Sequence, residues 1–116
     1  MKLLGNEGES LAVRFLKKQG YDIIAHNYKT RIGEIDIIAR DGETIVFVEV
    51  KTRSNDVFAA PYESVNSAKR QKMKNVASLY LKKQKTELPA RFDVISITCL
   101  WNGQKSIRHI RDAFEV

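Results

Sequence analysis

The chain has almost no cysteine. Cys99 is the only one, so no internal disulfide can form, and its place in the apolar run ISITCL reads as a small core residue. No apolar run approaches the 18 or so residues of a membrane span. Nor is there a signal-peptide pattern, because MKLLGNEGES turns acidic before an apolar stretch forms. These features point to the cytoplasm. Histidine is scarce as well: His26 and His109 stand alone, with no Cys/His cluster that would suit zinc. Internal repeats, low-complexity tracts and dividing linkers are missing, so residues 1 to 116 read as one domain.

Apolar residues make up 43% of the chain and charged residues 29%, the balance of a globular protein. Twenty Lys+Arg against 14 Asp+Glu give a net charge of +6. Such a surface suits a polyanion, nucleic acid above all, although many soluble proteins are merely basic. The basic residues gather at Lys69 to Lys74, at Lys82 to Lys85 and near Arg108 and Arg111.

Periodicity supplies the elements. Residues 6 to 19 read as a helix with Leu11, Ala12, Val13, Phe15 and Leu16 on one arc, stopped by Gly20. A short strand follows at 21 to 25. Strands at 34 to 40 and 44 to 52 flank Asp41-Gly42, a two-residue hairpin signal. Residues 53 to 62 form a loop with Pro61. A second helix spans 66 to 85, with Asn66 or Ser67 as its N-cap. Strands at 91 to 100 and 104 to 110 surround Asn102-Gly103. The order is αβββαββ: an α/β fold with one mixed sheet and two main helices.

The stretch EIDIIARDGETIVFVEVKTR raises the functional question, because Asp36, Glu49 and Lys51 sit inside apolar strands. A turn centred on Asp41-Gly42 sets Asp36 opposite Phe47. Glu49 is then its diagonal neighbour, roughly 7–8 Å away at Cα. All three side chains share one face. On the first helix Glu9 falls inside the apolar arc while Glu7 falls outside it, and a core-facing acid is costly unless partnered. Lys69 likewise stacks on the apolar face of the second helix. Two carboxylates about 4 Å apart repel by about 4 kcal/mol at an effective dielectric near 20. Lys51 offsets part of this, and a divalent cation would offset the rest. Oxygen ligands favour Mg²⁺ or Mn²⁺. An ion held by Asp36, Glu49 and Glu9, with Lys51 beside it, suits phosphodiester hydrolysis. The same motif also suits plain salt bridges on a hairpin.

GNEGESLAVRFLKKQGYDIIAHNYKTRIGEIDIIARDGETIVFVEVKTR, then PYESV, the Lys69 helix and RFDVISI ending in HIRDAF, closely resembles the YraN family of small bacterial proteins. That family looks like the PD-(D/E)xK nucleases of restriction-endonuclease-like fold, whose described relatives include archaeal Holliday-junction resolvases. The resemblance implies the helix glutamate at Glu9, the metal-binding aspartate at Asp36 and the acid-x-Lys pair at Glu49 and Lys51. Ile35 stands where that superfamily has proline, and Ala59 where the family would carry a loop glycine.

The expectation is a Mg²⁺- or Mn²⁺-dependent DNA endonuclease, branched or junction DNA included, with DNA favoured over RNA and no membrane partner. The alternative is a silent nucleic-acid-binding module on the same scaffold. Arg53, Lys69, Arg70, Lys72 and Lys74 are the candidate contacts to nucleic acid. A two-fold homodimer would bring two sites to two strands. Among the remaining residues, Asp93 reads as a buried acid paired with Arg91 rather than an accessory site residue, Glu63 as a cap or a partner of Lys69, and Trp101 as packed into its turn rather than stacking on a base.

Overall fold

The computed structural model describes residues 2–54 and 66–114. Helix α1 covers Lys2–Lys18. Strands β1 (Asp22–Thr30), β2 (Gly33–Asp41) and β3 (Thr44–Ser54) follow. Helix α2 is Ser67–Gln84, and β4 (Ala90–Cys99) and β5 (Lys105–Phe114) close the chain. The expected order αβββαββ holds, and the fold is restriction-endonuclease-like. Glu63, Pro61 and Ala59 lie outside the described residues.

The five strands stand in the order β1-β2-β3-β4-β5. All neighbours are antiparallel except β3 and β4, which run parallel. A parallel pair needs a crossover, and α2 lies on it. Side-chain alternation divides the core into two layers. Ile38, Ile45, Phe47, Phe92 and Val94 pack against Met73, Val76, Ala77 and Tyr80 of α2. Ile37, Ala39, Val46, Val48, Ile95 and Ile97 pack against Ala12 and Leu16 of α1.

Local chemistry sets the ends of the elements. Gly20 takes φ +92 after α1, while Tyr21 N donates to Leu16 O at 3.0 Å and Gly20 N to Lys17 O at 3.0 Å, the paired bonds of a Schellman end. Asn66 caps α2, its side chain accepting from Lys69 N at 2.9 Å. The β2–β3 turn departs from expectation. Asp41 pairs with Thr44, so Gly42 and Glu43 are the central residues. Gly42 alone of the two has positive φ, +60, as a type II′ turn requires of its first central residue. Two other expectations fail. β1 runs to Thr30, past the apolar residues that marked it, because β2 pairs along its whole length. Cys99 is only half-buried, since β4 ends there and leaves the core.

Candidate active site

The shifted turn changes the geometry of the acids. Ile38 lies opposite Phe47 and Ile37 opposite Val48, so Asp36 and Glu49 come next in register rather than diagonally. The shared face is unchanged, because the shift is an even number of residues. There the β2–β3 ladder stops. Val50 N–H, past the last paired residues, donates to Asp36 Oδ2 at 2.8 Å. The carboxylate thus stands in for a strand at a fork in the sheet.

Burial and the neighbouring Glu49 carboxylate, within hydrogen-bonding reach, push the Asp36 carboxyl up to about 7, despite the opposing bond from Val50. Glu49 is itself buried, and its Oε2 meets Lys69 Nζ at 2.5 Å and Lys51 Nζ at 3.3 Å. The two lysines answer differently. Burial and the adjacent Lys69 pull Lys51 below its ordinary value. Burial also acts against the Lys69 charge, but contact with Glu49 outweighs it and the pKa rises. Lys69, expected on a nucleic-acid surface or as neutraliser of the acids, therefore sits in the acidic site.

Glu9 comes from the α1 layer, on the other side of the sheet. Its carboxyl is raised by burial, then by Glu34, with Glu49 contributing too. Asn27, held at φ +53 in β1, carries an amide whose nitrogen, turned toward Glu9, donates to Oε1 at 2.6 Å and Oε2 at 3.2 Å. Gly8 permits the approach of α1. A Cβ there would collide with Thr52 Oγ1 on β3. Glu7 points away, as expected, and pairs with Lys105 at 3.4 Å.

Two open clefts reach this region. One, of about 440 Å³, is lined by Glu9, Ser10, Val13, Arg14, His26 and Asn27. The other, of about 410 Å³, is lined by Gly33, Glu34, Asn66, Ala68, Lys69, Lys72 and Met73. Among the described residues no three His, Cys, Asp or Glu side chains converge tightly enough to hold an ion. The protein's own contribution is the Asp36–Glu49 pair, with Glu9 behind it. That set fits Mg²⁺ better than a fully caged ion, because Mg²⁺ keeps several waters and takes one or two carboxylates.

The chain matches the family described as Uncharacterised protein family UPF0102 over residues 8–97. The chain belongs to the UPF0102 family. A UPF0102 protein of Thermodesulfovibrio yellowstonii is 50% identical over 111 residues, covering 96% of this chain and 95% of the relative. Those of Geotalea uraniireducens and Geobacter metallireducens are 47% and 50% identical, covering 99% of this chain and 91% and 94% of theirs. The resemblance to YraN proteins stands on this match. Glu9, Asp36, Glu49, Lys51 and Arg53 all fall inside the UPF0102 segment.

The other expected contacts scatter around α2. Arg53 follows Lys51 on the same face of β3, half-buried. Lys72 lies beside Lys69 and lines the same cleft. Arg70 stacks over Phe114, 5.5 Å from the ring centre. Lys74 faces a separate cleft with Lys82 and Lys85. Arg70 and Lys74 thus point away from the acids.

Asp93 is fully buried and structural. Arg91 Nε donates to it at 3.0 Å, Asp112 N at 2.9 Å, and His109 Nε2 lies 2.7 Å away. Arg91 also reaches Asp41 at 3.2 Å and the Tyr21 hydroxyl at 2.7 Å. Burial would raise the Asp93 carboxyl, but the bonds from His109, Arg91 and Asp112 hold it below its usual value. Sequence reasoning missed Gly8 and Asn27. A glycine within a helix costs about 1 kcal/mol relative to alanine, and that cost was the available signal for Gly8. Asn27 gave none beyond the tolerance of asparagine for left-handed backbone.

Proposed function

We propose that this chain is a metal-dependent phosphodiester hydrolase acting on DNA, branched DNA included. The observation that carries the reading is the Asp36–Glu49 carboxylate pair at the fork of the sheet, Asp36 half-buried and Glu49 buried, with Lys51 against Glu49. Buried like charges are expensive, and few roles other than holding a cation repay them. Asp36 and Glu49 would hold Mg²⁺ or Mn²⁺, with Glu9 positioned from α1. A divalent cation there supplies polarisation of a phosphate oxygen and acidification of water. Lys51 Nζ, its pKa lowered, can orient the attacking water or offset charge growing on the phosphate. Lys69 holds Glu49 in place.

The test is cleavage of single-strand, duplex, flap and four-way-junction DNA with Mg²⁺ or Mn²⁺. Asp36→Ala and Glu49→Ala should both abolish cutting. Independently of activity, Mg²⁺ should raise the melting temperature of the wild type at pH 8 and leave Asp36→Ala unmoved. A second reading, a silent nucleic-acid-binding module, draws support from Glu49 being engaged by two lysines with no third carboxylate closing on it. It predicts wild-type DNA affinity in both variants and no effect of Mg²⁺ on melting.

A further inference from the structure

Trp101 is the only tryptophan in the chain, and the residue is 87% exposed. The expectation that it packs into its turn fails: among the described residues it has no stacking or hydrogen-bonding partner. An exposed indole offers a flat apolar face and an N–H to a partner. The turn beneath it is braced. Leu100 N donates to Gln104 O at 2.7 Å, Gly103 N to Leu100 O at 2.9 Å, and Gln104 N to Asn102 Oδ1 at 3.0 Å. Gly103 takes φ +87, which a side chain would resist. The indole is therefore presented by a rigid hairpin tip.

Topology places that tip at the functional end of the sheet. β3 and β4 run parallel, with Ser54 beside Cys99, so both travel from the acid pair toward the β4–β5 turn. The β1–β2 hairpin, with Ile32 48% exposed at its tip, turns at the same end. From Glu49 along β3, and then two residues past Cys99, the path to Trp101 is at most about 23 Å at ~3.3 Å per residue. Stacked nucleotides repeat at about 3.4 Å, so this spans about seven of them. Arg108 follows on β5, beyond Lys105, which pairs with Glu7, and the chain carries +6 overall, which favours a polyanion over an apolar partner at this tip.

We propose that Trp101 is a base-stacking finger that selects single-stranded or frayed nucleic acid, gripping a base about seven nucleotides from the Asp36–Glu49 pair. Aromatic stacking needs an exposed base face, which blunt duplex does not offer along its length. The inference rests on the nuclease reading for the position of the cut, but not for the grip itself.

The lone indole makes the test direct. The protein, free of divalent cations, is titrated with oligothymidylate long enough to span both points (about twelve nucleotides at ~3.4 Å each) and with blunt duplex of equal length. Labelled-DNA anisotropy reports binding and Trp101 emission reports stacking. Emission should fall in step with binding of the single strand and change little with duplex. Trp101→Ala should weaken single-strand binding about ten- to a hundredfold, with Trp101→Phe between the two. Saturated single-strand binding with unchanged emission overturns the proposal. So does emission that tracks protein concentration without DNA, which would make the tip a contact between copies. If neither DNA binds, the finger and the nuclease reading fall together. If the strand binds and quenches but is never cut, the nuclease reading alone falls.

Discussion

Asp36→Asn should remove a pH dependence built into the fold. The Asp36 carboxyl is raised from 3.8 to about 7 by burial and by Glu49. In the unfolded chain it would ionise near its ordinary value. Between those two values the folded state holds a proton that the unfolded state has lost. Stability therefore falls as pH rises through this window and levels off above it. Three pH units at about 1.4 kcal/mol each make the full loss about 4 kcal/mol, and about 2 kcal/mol of it between pH 5 and 7, since the folded group is already half ionised at its own pKa. Asparagine is isosteric, cannot ionise, and keeps an oxygen for the Val50 N–H. Urea unfolding in chelator at pH 5, 6, 7 and 8 gives the profile of each protein. The difference between wild type and Asp36→Asn should shift in favour of the variant as pH rises, and then hold steady. Parallel profiles across the range would refute the claim that Asp36 and Glu49 are packed as a repelling pair.

Three further outcomes follow from packing. Gly8→Ala should destabilise by about 1–3 kcal/mol despite the better helix propensity of alanine, because its Cβ meets Thr52 Oγ1; adding Thr52→Ala should restore melting. Asp93→Ala should cost about 3–5 kcal/mol in denaturant titration by removing the fully buried carboxylate on which Arg91, His109 and the Asp112 amide converge, although Arg91 keeps Asp41 and Tyr21. Because the folded Asp93 carboxyl lies below its ordinary value, its contribution is present above about pH 4 and lost as pH falls through the folded value, so the cost of Asp93→Ala should shrink in acid. Ser96→Ala should be neutral or slightly stabilising in a thermal melt, since the Ser96 hydroxyl is buried with no hydrogen-bond partner among the described residues.

Much of the fold was legible in local pattern. Apolar runs with turn pairs marked β2 to β5, and Gly20 marked the end of α1. The core run of β3 was readable because Val, Ile and Phe dominate it, which left Glu49 and Lys51 conspicuous. The turn register was not readable, because Asp41-Gly42-Glu43 can close around either pair and only the strands it joins decide. The common face of Asp36 and Glu49 survived that error because two registers an even number of residues apart share it. The extension of β1 through His26, Asn27 and Tyr28 was hidden because its strand character comes from pairing with β2. Nor could sequence show that Lys69 would reach Glu49. That contact depends on where α2 starts over the sheet, a tertiary fact with no local signature.

The buried Asp93 has a consequence for synthesis. Through Arg91, His109 and Asp112 it draws together Tyr21 at the start of β1, Asp41 at the end of β2, and both of the last two strands. Tyr21 and Arg91 are 70 residues apart, so the knot is among the most non-local contacts in the molecule. A nascent chain emerges from its N-terminus, and β1 to β3 can pair while the rest is still being made. The knot cannot close until β5 has left the ribosome, since both His109 and the Asp112 amide belong to it. Until then Asp93 is a charge without its full set of partners. The last strand out therefore acts as the clasp, and chains stalled before residue 105 should be held open and exposed to proteases.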